Sequence, residues 1–357
     1  MFCLLKKYFK FSYTPTINKK PNIALTAYCE YKDGFINNKI RYISINRRIV
    51  MNLYIRAIGF QYLDADFEEE MIHAGILDSI EKGFVIKNTK LNRGAVIVRV
   101  SESTGLYIYG RFKGDEFIYE YYFPFILGKT SCDNDEITIE RHLDKESFAV
   151  VCDESRTGVT LIFYLQNVMD YLEFIFDKDG LKQKEYNIDR KGSVYRIPIK
   201  NKKVSLTALS IGGMILLPSH RKVEPVKAKK EQDEREKLIQ AAKKGDETAI
   251  ENLTIEDIDT YNELSQRILK EDVFSIVDSS FMPCGVECDQ YQVVGEILEL
   301  EEEINHYTKE TVYIMVIECN NLSMTVAVNK ADLLGEPAVG RRFKGQVWLQ
   351  GSVAFKG

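Results

Sequence analysis

The sequence predicts an α+β fold with a strand-rich N-terminal unit, a helical connector and a small C-terminal β-barrel of the OB-like or SH3-like kind. Three observations predict it. Short runs of alternating apolar and polar residues recur between Ala95 and Leu217. A charged stretch, Arg221 to Arg235, then gives way to helical spacing. From Cys284 onward about five short strands follow, too small a set to form a stable open sheet wetted on both faces, so closure is the economical solution.

Composition bounds the rest. At 357 residues, 45% apolar and 28% charged, the chain has room for two or three compact units. No apolar run approaches the roughly 18 residues of a spanning helix, and Met1 to Lys7 lacks the apolar core of a secretory signal. The seven cysteines are odd in number and scattered, which fits thiols in a reducing compartment. A cytoplasmic location without membrane contact is the expectation.

Residues 1–50 stand apart. They hold ten Lys/Arg against two acids, a net +8, whereas residues 51–357 carry −13. They show no sustained helical or strand period. Arg47-Arg48 followed by Ile49-Val50 and Met51 reads as a ribosome-binding site translated in frame, which predicts a natural start at Met51. The other reading is a basic, disordered arm for an acidic partner.

The next unit spans 51–219. Tyr54 to Phe60 suggests a strand ending at Gly59. Asp64 or Asp66 then caps a helix to about Lys82, with Met71, Ile72, Ile76, Leu77 and Ile80 on its buried side and Gly83 as its stop. Ala95–Val100, Gly105–Phe112 and Glu116–Phe123 alternate as strands, with a turn at Lys113-Gly114-Asp115. Further strands fit Ile137–Ile139, Phe148–Cys152, Val159–Leu165, Val194–Ile199, Val204–Leu209 and Met214–Leu217, the last two flanking a turn at Gly212-Gly213. Segment 166–176 suits helix and strand equally.

Residues 220–283 form the connector. A helix fits Glu234 to Lys244 before Gly245, Asp246 caps the next, and Thr254 with Asp257 resembles a capping box for a third that buries Ile258, Tyr261, Leu264 and Ile268. The last unit, 284–357, begins with strand Tyr291–Leu298 and an acidic loop, Glu301-Glu302-Glu303. Strands Val312–Cys319 and Leu322–Asn329 flank Asn320-Asn321, residues that tolerate the positive φ of a tight hairpin. Leu322, Met324, Val326 and Val328 face one way, Ser323, Thr325 and Ala327 the other. Asn329 caps a short turn to Leu334, ended by Gly335, and Arg342–Leu349 and Ser352–Phe355 close the set.

Three stretches resemble a chiefly clostridial bacterial family defined as a domain of unknown function, number 3881. They are Tyr54-Ile55-Arg56-Ala57-Ile58-Gly59-Phe60, then Gly158 to Asn167 (GVTLIFYLQN), then the tail from Asn329-Lys330-Ala331-Asp332 through Gly340-Arg341-Arg342-Phe343 to Trp348-Leu349-Gln350-Gly351. The resemblance covers about Met51 to the C-terminus. It implies a family and carries no activity or catalytic residue with it.

The candidate sites are few. Arg341, Arg342 and Lys344 form a basic spot in an acidic domain. With Lys330 beside the capped turn at Asn329, they suggest an anion- or partner-binding site. The plainer reading is that one arginine pairs with Asp332 or Glu336 and braces the loop. Cys284 and Cys288 have a spacing that admits two thiolates on one metal, with His306 and Cys319 as further ligands, but no second close pair accompanies them. His142, Cys152 and Asp153 supply nucleophile, base and acid as residue types only, and Asp144, Glu146, Asp153 and Glu154 sit where solvated turns normally carry acids. Nine aromatics between Leu106 and Phe125 suggest a packed sheet core more than a base-stacking surface, given the acidic body.

The leading expectation is therefore a non-catalytic intracellular binding or regulatory protein. Its C-terminal barrel would serve as the module for a protein partner or small anionic ligand, and no cofactor is implied. The alternatives are an enzyme with a carboxylate- or Cys152-based site between domains, and a nucleic-acid binder through the barrel, which the net charge disfavours.

Overall fold

The computed structural model describes residues 53–62, 65–83, 85–88, 92–113, 116–141, 147–154, 159–179, 197–218, 234–235, 237–242, 244–268, 278–284 and 289–355. The basic segment 1–50 and the proposed start at Met51 lie outside them. The protein is a strand-rich α+β chain of two compact units. One comprises Ala65–Val98 and Tyr107–Phe123; the other comprises Asn52–Asp64, Arg99–Leu106 and Pro124–Gly357.

The smaller unit holds helix α1 (Ala65–Glu81) and most of a sheet of strands β1 (Val85–Asn88), β2 (Arg93–Arg99), β3 (Thr104–Lys113) and β4 (Glu116–Ile126), in that order, of which Arg99, Thr104–Leu106 and Pro124–Ile126 are counted with the larger unit. Helix α1 buries Met71, Ile72 and Ile76 as its period requires, whereas Leu77, expected beside them, is 43% exposed. Ser79 Oγ donates to Ile97 O at 3.0 Å. Gly75 lies so close to Val98 that a Cβ there would stand 2.8 Å from Val98 Cγ1. Aromatic rings pair at centroid distances of 5.0–5.1 Å, Tyr107 with Phe123, Tyr109 with Tyr121 and Phe112 with Phe117. The aromatic run is therefore a packed core, each ring pair adding about 0.5–1.5 kcal/mol beyond its buried area.

The larger unit opens with a 3-10 turn, Leu53–Ile58, where a strand was expected. Its buried residues, Tyr54, Ile55, Ala57 and Ile58, follow helical spacing rather than alternation, and Gly59 ends it at φ +90°. Polar side chains strap the turn down. Asn305 Nδ2 donates to Ile58 O and Gly59 O, and the Gln61 amide donates to Glu310 Oε2 at 3.1 Å.

The remaining elements are β5 (Cys132–Arg141), β6 (Phe148–Glu154), β7 (Val159–Leu165), α2 (Val168–Asp179), β8 (Ile197–Leu216), α3 (Glu247–Ile268), β9 (Ser280–Pro283), β10 (Gln290–Ile304), β11 (Thr311–Cys319), β12 (Leu322–Asn329), β13 (Leu333–Leu334) and β14 (Arg342–Val353). The ambiguous segment 166–176 is helix from Val168 onward. Ten strands form one sheet, organised by the long antiparallel pair of β8 and β14, registered from Val204↔Val353 to Leu216↔Arg342. Two closed circuits of paired strands share that pair. One runs β8–β5–β6–β7–β14, the other β8–β12–β11–β10–β14.

This topology corrects the expectation of a self-contained barrel after Cys284. The C-terminal strands close only by borrowing β8, and the connector does not divide the sheet. The expected turn at Gly212-Gly213 is continuous strand instead, with a register shift against β14 between Gly213 and Ser210. Gly213 and Gly345 are registered across β8 and β14 and admit the ring of Phe343, which a Cβ at either would meet at 2.5 Å. The two strands expected around Gly351 are likewise one. Glu301, Glu302 and Glu303, expected in a loop, belong to β10 and pair with Ile314, Tyr313 and Val312.

Other expectations hold in detail. Asn320 and Asn321 take φ of 50° and 62° in the β11–β12 hairpin. Asn329 caps the 3-10 turn Lys330–Asp332, its side chain accepting from the Ala331 amide at 3.0 Å. Asp246 caps α3 through Thr248 N and Ala249 N. Helix α3 continues past the proposed capping box, however. Thr254 Oγ1 donates back to Ile250 O at 2.8 Å, as mid-helix threonines do, and Ile258 is 55% exposed. The side chains of residues 261, 264 and 268 lie outside the described set.

Polar side chains close the points where strand pairing stops. Tyr291 Oη donates to Ile162 O and accepts from Ile162 N, completing the β7 edge beyond its short pairing with β14. Gln166 Nε2 reaches Ile126 O, Thr207 Oγ1 and Gln350 Oε1, while Gln350 Nε2 donates to Pro124 O. Gln350 and Thr207 are fully buried, so each of these bonds replaces a solvation that the core cannot provide. Among the described residues no helix is long and apolar enough to cross a membrane.

Candidate functional site

The end of the β8–β14 pair furthest from Val353 carries an exposed apolar face. Leu334 of β13 is registered with Met214 of β8, and Met214 with Lys344 of β14, so the three form one row across three strands. Leu334 is 68% exposed and Met214 37%; Leu217 and Val339 nearby along the chain are 74% and 64% exposed. Isolated apolar residues on a surface need no explanation, but Leu334 and Met214 are adjacent in one cross-strand row, the kind of exposed apolar surface that marks a candidate interaction site.

The loop beside this face is held in place. Gly335 and Gly340 adopt φ of +87° and +84°, conformations that side chains resist. Gly340 N donates to Ile297 O, Ile297 N donates to Arg341 O, and the Arg341 amide reaches Ala338 O. The Arg341 guanidinium donates through Nη1 to Glu336 O at 2.6 Å. Val339 therefore projects from a loop with a fixed course.

The four cations singled out from sequence have different fates. Arg341 braces its own loop through the Glu336 carbonyl. Arg342 is buried, at 4% exposure, and its Nε donates to Leu217 O at 2.9 Å. Lys344 lies half-buried in the row with Met214 and Leu334. Lys330 turns to a different set of partners, its Nζ 3.6 Å from Glu302 Oε2 and 5.1 Å from the Tyr313 ring centroid, and contact with Tyr313 and Glu302 pushes its pKa up. Arg341, Arg342 and Lys344 thus border the apolar face, and Lys330 is bound to other groups.

Asp332 pairs with neither Arg341 nor Arg342. It takes Arg56, whose Nε donates to Oδ2 at 2.6 Å while Nη2 meets Oδ1, and this raises the Arg56 pKa. The signal was present in the sequence, because Arg56 and Asp332 lie in two of the three family-like stretches. Further contacts between these stretches are Gln166 with Gln350 and the ring pairs of Trp348 with Tyr54 and Tyr164. Glu303, read from sequence only as part of an acidic loop, is a further held group. Burial pushes its pKa up, but bonds from Ser101 Oγ, Ser103 Oγ and Ser103 N, with Lys129 nearby, outweigh that and hold the carboxyl below its usual range.

The cysteine readings find less. Cys284 is half-buried and its thiol is pushed up by burial, and Cys288 lies outside the described residues. Cys319 is buried on β11, donates to Ser280 O at 2.9 Å, and burial raises its pKa to about 12. Cys152 is a core residue of β6, paired with Leu161 and Ile137. His142, Asp144 and Glu146 lie outside the described residues, as do the side chains of Asp153 and Glu154. Among the described residues no three His, Cys, Asp or Glu side chains form a metal-holding group.

Fold and face together define a strand-rich α+β protein with two fused strand circuits and an apolar, cation-bordered surface at one end. The chain belongs to the family described as a domain of unknown function, E. rectale gene description (DUF3881), whose model matches residues 55–351. No curated protein and no solved structure matches it significantly.

Proposed function

We propose that this is a non-catalytic bacterial, cytoplasmic binding or regulatory protein. In this reading the circuit of β8, β12, β11, β10 and β14 works as an OB-like or SH3-like module. It presents Leu334, Met214 and Val339, edged by Arg341 and Lys344, to an apolar surface with acidic flanks on a protein partner. The observation that carries the reading is the exposed row of Leu334 and Met214 beside a loop whose course is pinned by hydrogen bonds. Burying such a face on a partner releases about 25 cal/mol for each Å² of apolar surface, and the pinned loop reduces the ordering cost of binding.

The test is a comparison of captured partners. Full-length wild-type protein, Leu334→Asp and Val339→Asp are used as bait under the same conditions, with unfolding curves confirming that all three fold. A protein held by the wild type and lost from both variants supports the reading. A partner set unchanged by either variant overturns it, as does retention of RNA or a small molecule alone.

A further inference from the structure

A second place on the larger unit, separate from the apolar face, has the chemistry of a small-ligand site. A concavity of about 480 Å³ lies where the start of β5, the middle of β8 and the end of β14 meet the first turn of α2. Ser352 is registered with Ser205, and Ser131 directly precedes Cys132, which is registered with Val204. The three serines therefore line up across three neighbouring strands. Strand spacing of about 4.8 Å spreads their hydroxyls over roughly 10 Å.

Two opposite charges line the same concavity, Lys203 and Asp170. Lys203 is exposed. Its neighbour Lys202 is used structurally, donating to Phe355 O at 3.0 Å. Asp170 accepts at Oδ2 from Asn167 Nδ2 at 3.1 Å, and Asn167 in turn is tied to Val353 through both of its side-chain polar atoms. The carboxylate is thus oriented without being neutralised. Ser205 Oγ donates to Thr130 O at 2.6 Å. Val353, Ala354 and Phe355 complete the lining.

We propose that this concavity binds a free α-amino acid. The ammonium of Lys203 and the Ser131 and Ser352 hydroxyls receive the ligand carboxylate, Asp170 receives its ammonium, and the side chain rests on Phe355. A ligand carrying both charges satisfies both walls, whereas a ligand of one charge leaves the opposite wall facing a like charge or nothing. The volume falls within the usual range for small-molecule sites, and the open setting predicts millimolar affinity.

The test is calorimetric titration of the full-length protein with L-leucine, L-serine and L-glutamate, beside N-acetyl-L-leucine and L-leucinamide, each lacking one charge. Saturable binding of at least one free amino acid is expected, weakened by about tenfold or more in both capped forms and in Lys203→Met and Asp170→Asn, but unchanged in Lys82→Met, an exposed lysine outside the concavity. Unfolding temperatures confirm that the variants fold. Absence of saturable binding for all three amino acids, or binding that survives both charge-removing variants, overturns the proposal.

Discussion

Arg56 and Asp332, 276 residues apart, form a two-point ion pair that ties the first turn of the larger unit to the capped turn after β12. The two partners are unequally placed, with the Asp332 side chain 7% exposed and that of Arg56 39%. Removing the arginine strands a buried carboxylate. Arg56→Ala is expected to cost about 2 kcal/mol, between the values for surface and buried pairs, and Arg56→Lys to recover only part of it because an ammonium lacks the fork. Urea unfolding of the three proteins measures this, and equal midpoints would show that the pair is ornamental.

Gly213 and Gly345 make room for Phe343, which is fully buried. Gly213→Ala is expected to lose about 1–3 kcal/mol through overpacking. Adding Phe343→Leu should return part of that loss, so the double variant should be more stable than the two single costs added together predict. Thermal melts of the four proteins make the comparison, and strict additivity would place the strain elsewhere.

Glu303 gives a pH dependence with a definite sign. Its carboxyl is held below the ordinary value of 4.5, so its contribution is complete above that pH and fades as pH falls through the lower folded value. Glu303→Gln should therefore be less stable than wild type at pH 7, with the gap closing on acidification below about pH 4. Ser103→Ala should raise the carboxyl pKa, which a carboxyl-selective NMR titration reads directly.

Cys319, with its thiol pushed up to about 12, is expected to stay unmodified by iodoacetamide at pH 8 while the protein is folded and to react at once in denaturant. Peptide mapping by mass spectrometry follows it site by site. Labelling of native Cys319 at the rate of an ordinary exposed thiol would contradict its burial.

Local chemistry was readable from the residues, whereas pairing at long range was not. Asn320-Asn321 and Asn329 announce their turns because positive φ and side-chain capping are properties of single residues. The alternation of β12 was read correctly, but Thr325 and Ala327 are buried on its other face too, where the Thr325 hydroxyl accepts from Lys129 N. Gly212-Gly213 imitates a turn because glycine serves tight turns and close ring packing alike. Glu301 to Glu303 imitate a loop because their charges are answered by Lys129, Lys330, Ser101 and Ser103, none of them near in sequence. For the site, the arginines at 341 and 342 were visible as a basic spot. The apolar row beside them was hidden, since Leu334 and Met214 meet only once β13 lies against β8.

The shared strand pair also sets an order on biosynthesis. β14 is a wall of both circuits and follows their other strands along the chain, so neither circuit can be completed while Arg342–Val353 is still inside the ribosome. Until then the nascent chain holds β7, β8 and β10 without their final neighbour. Its maturation depends on contacts more than a hundred residues apart, with bare strand edges open to mispairing and to chaperones in the interval.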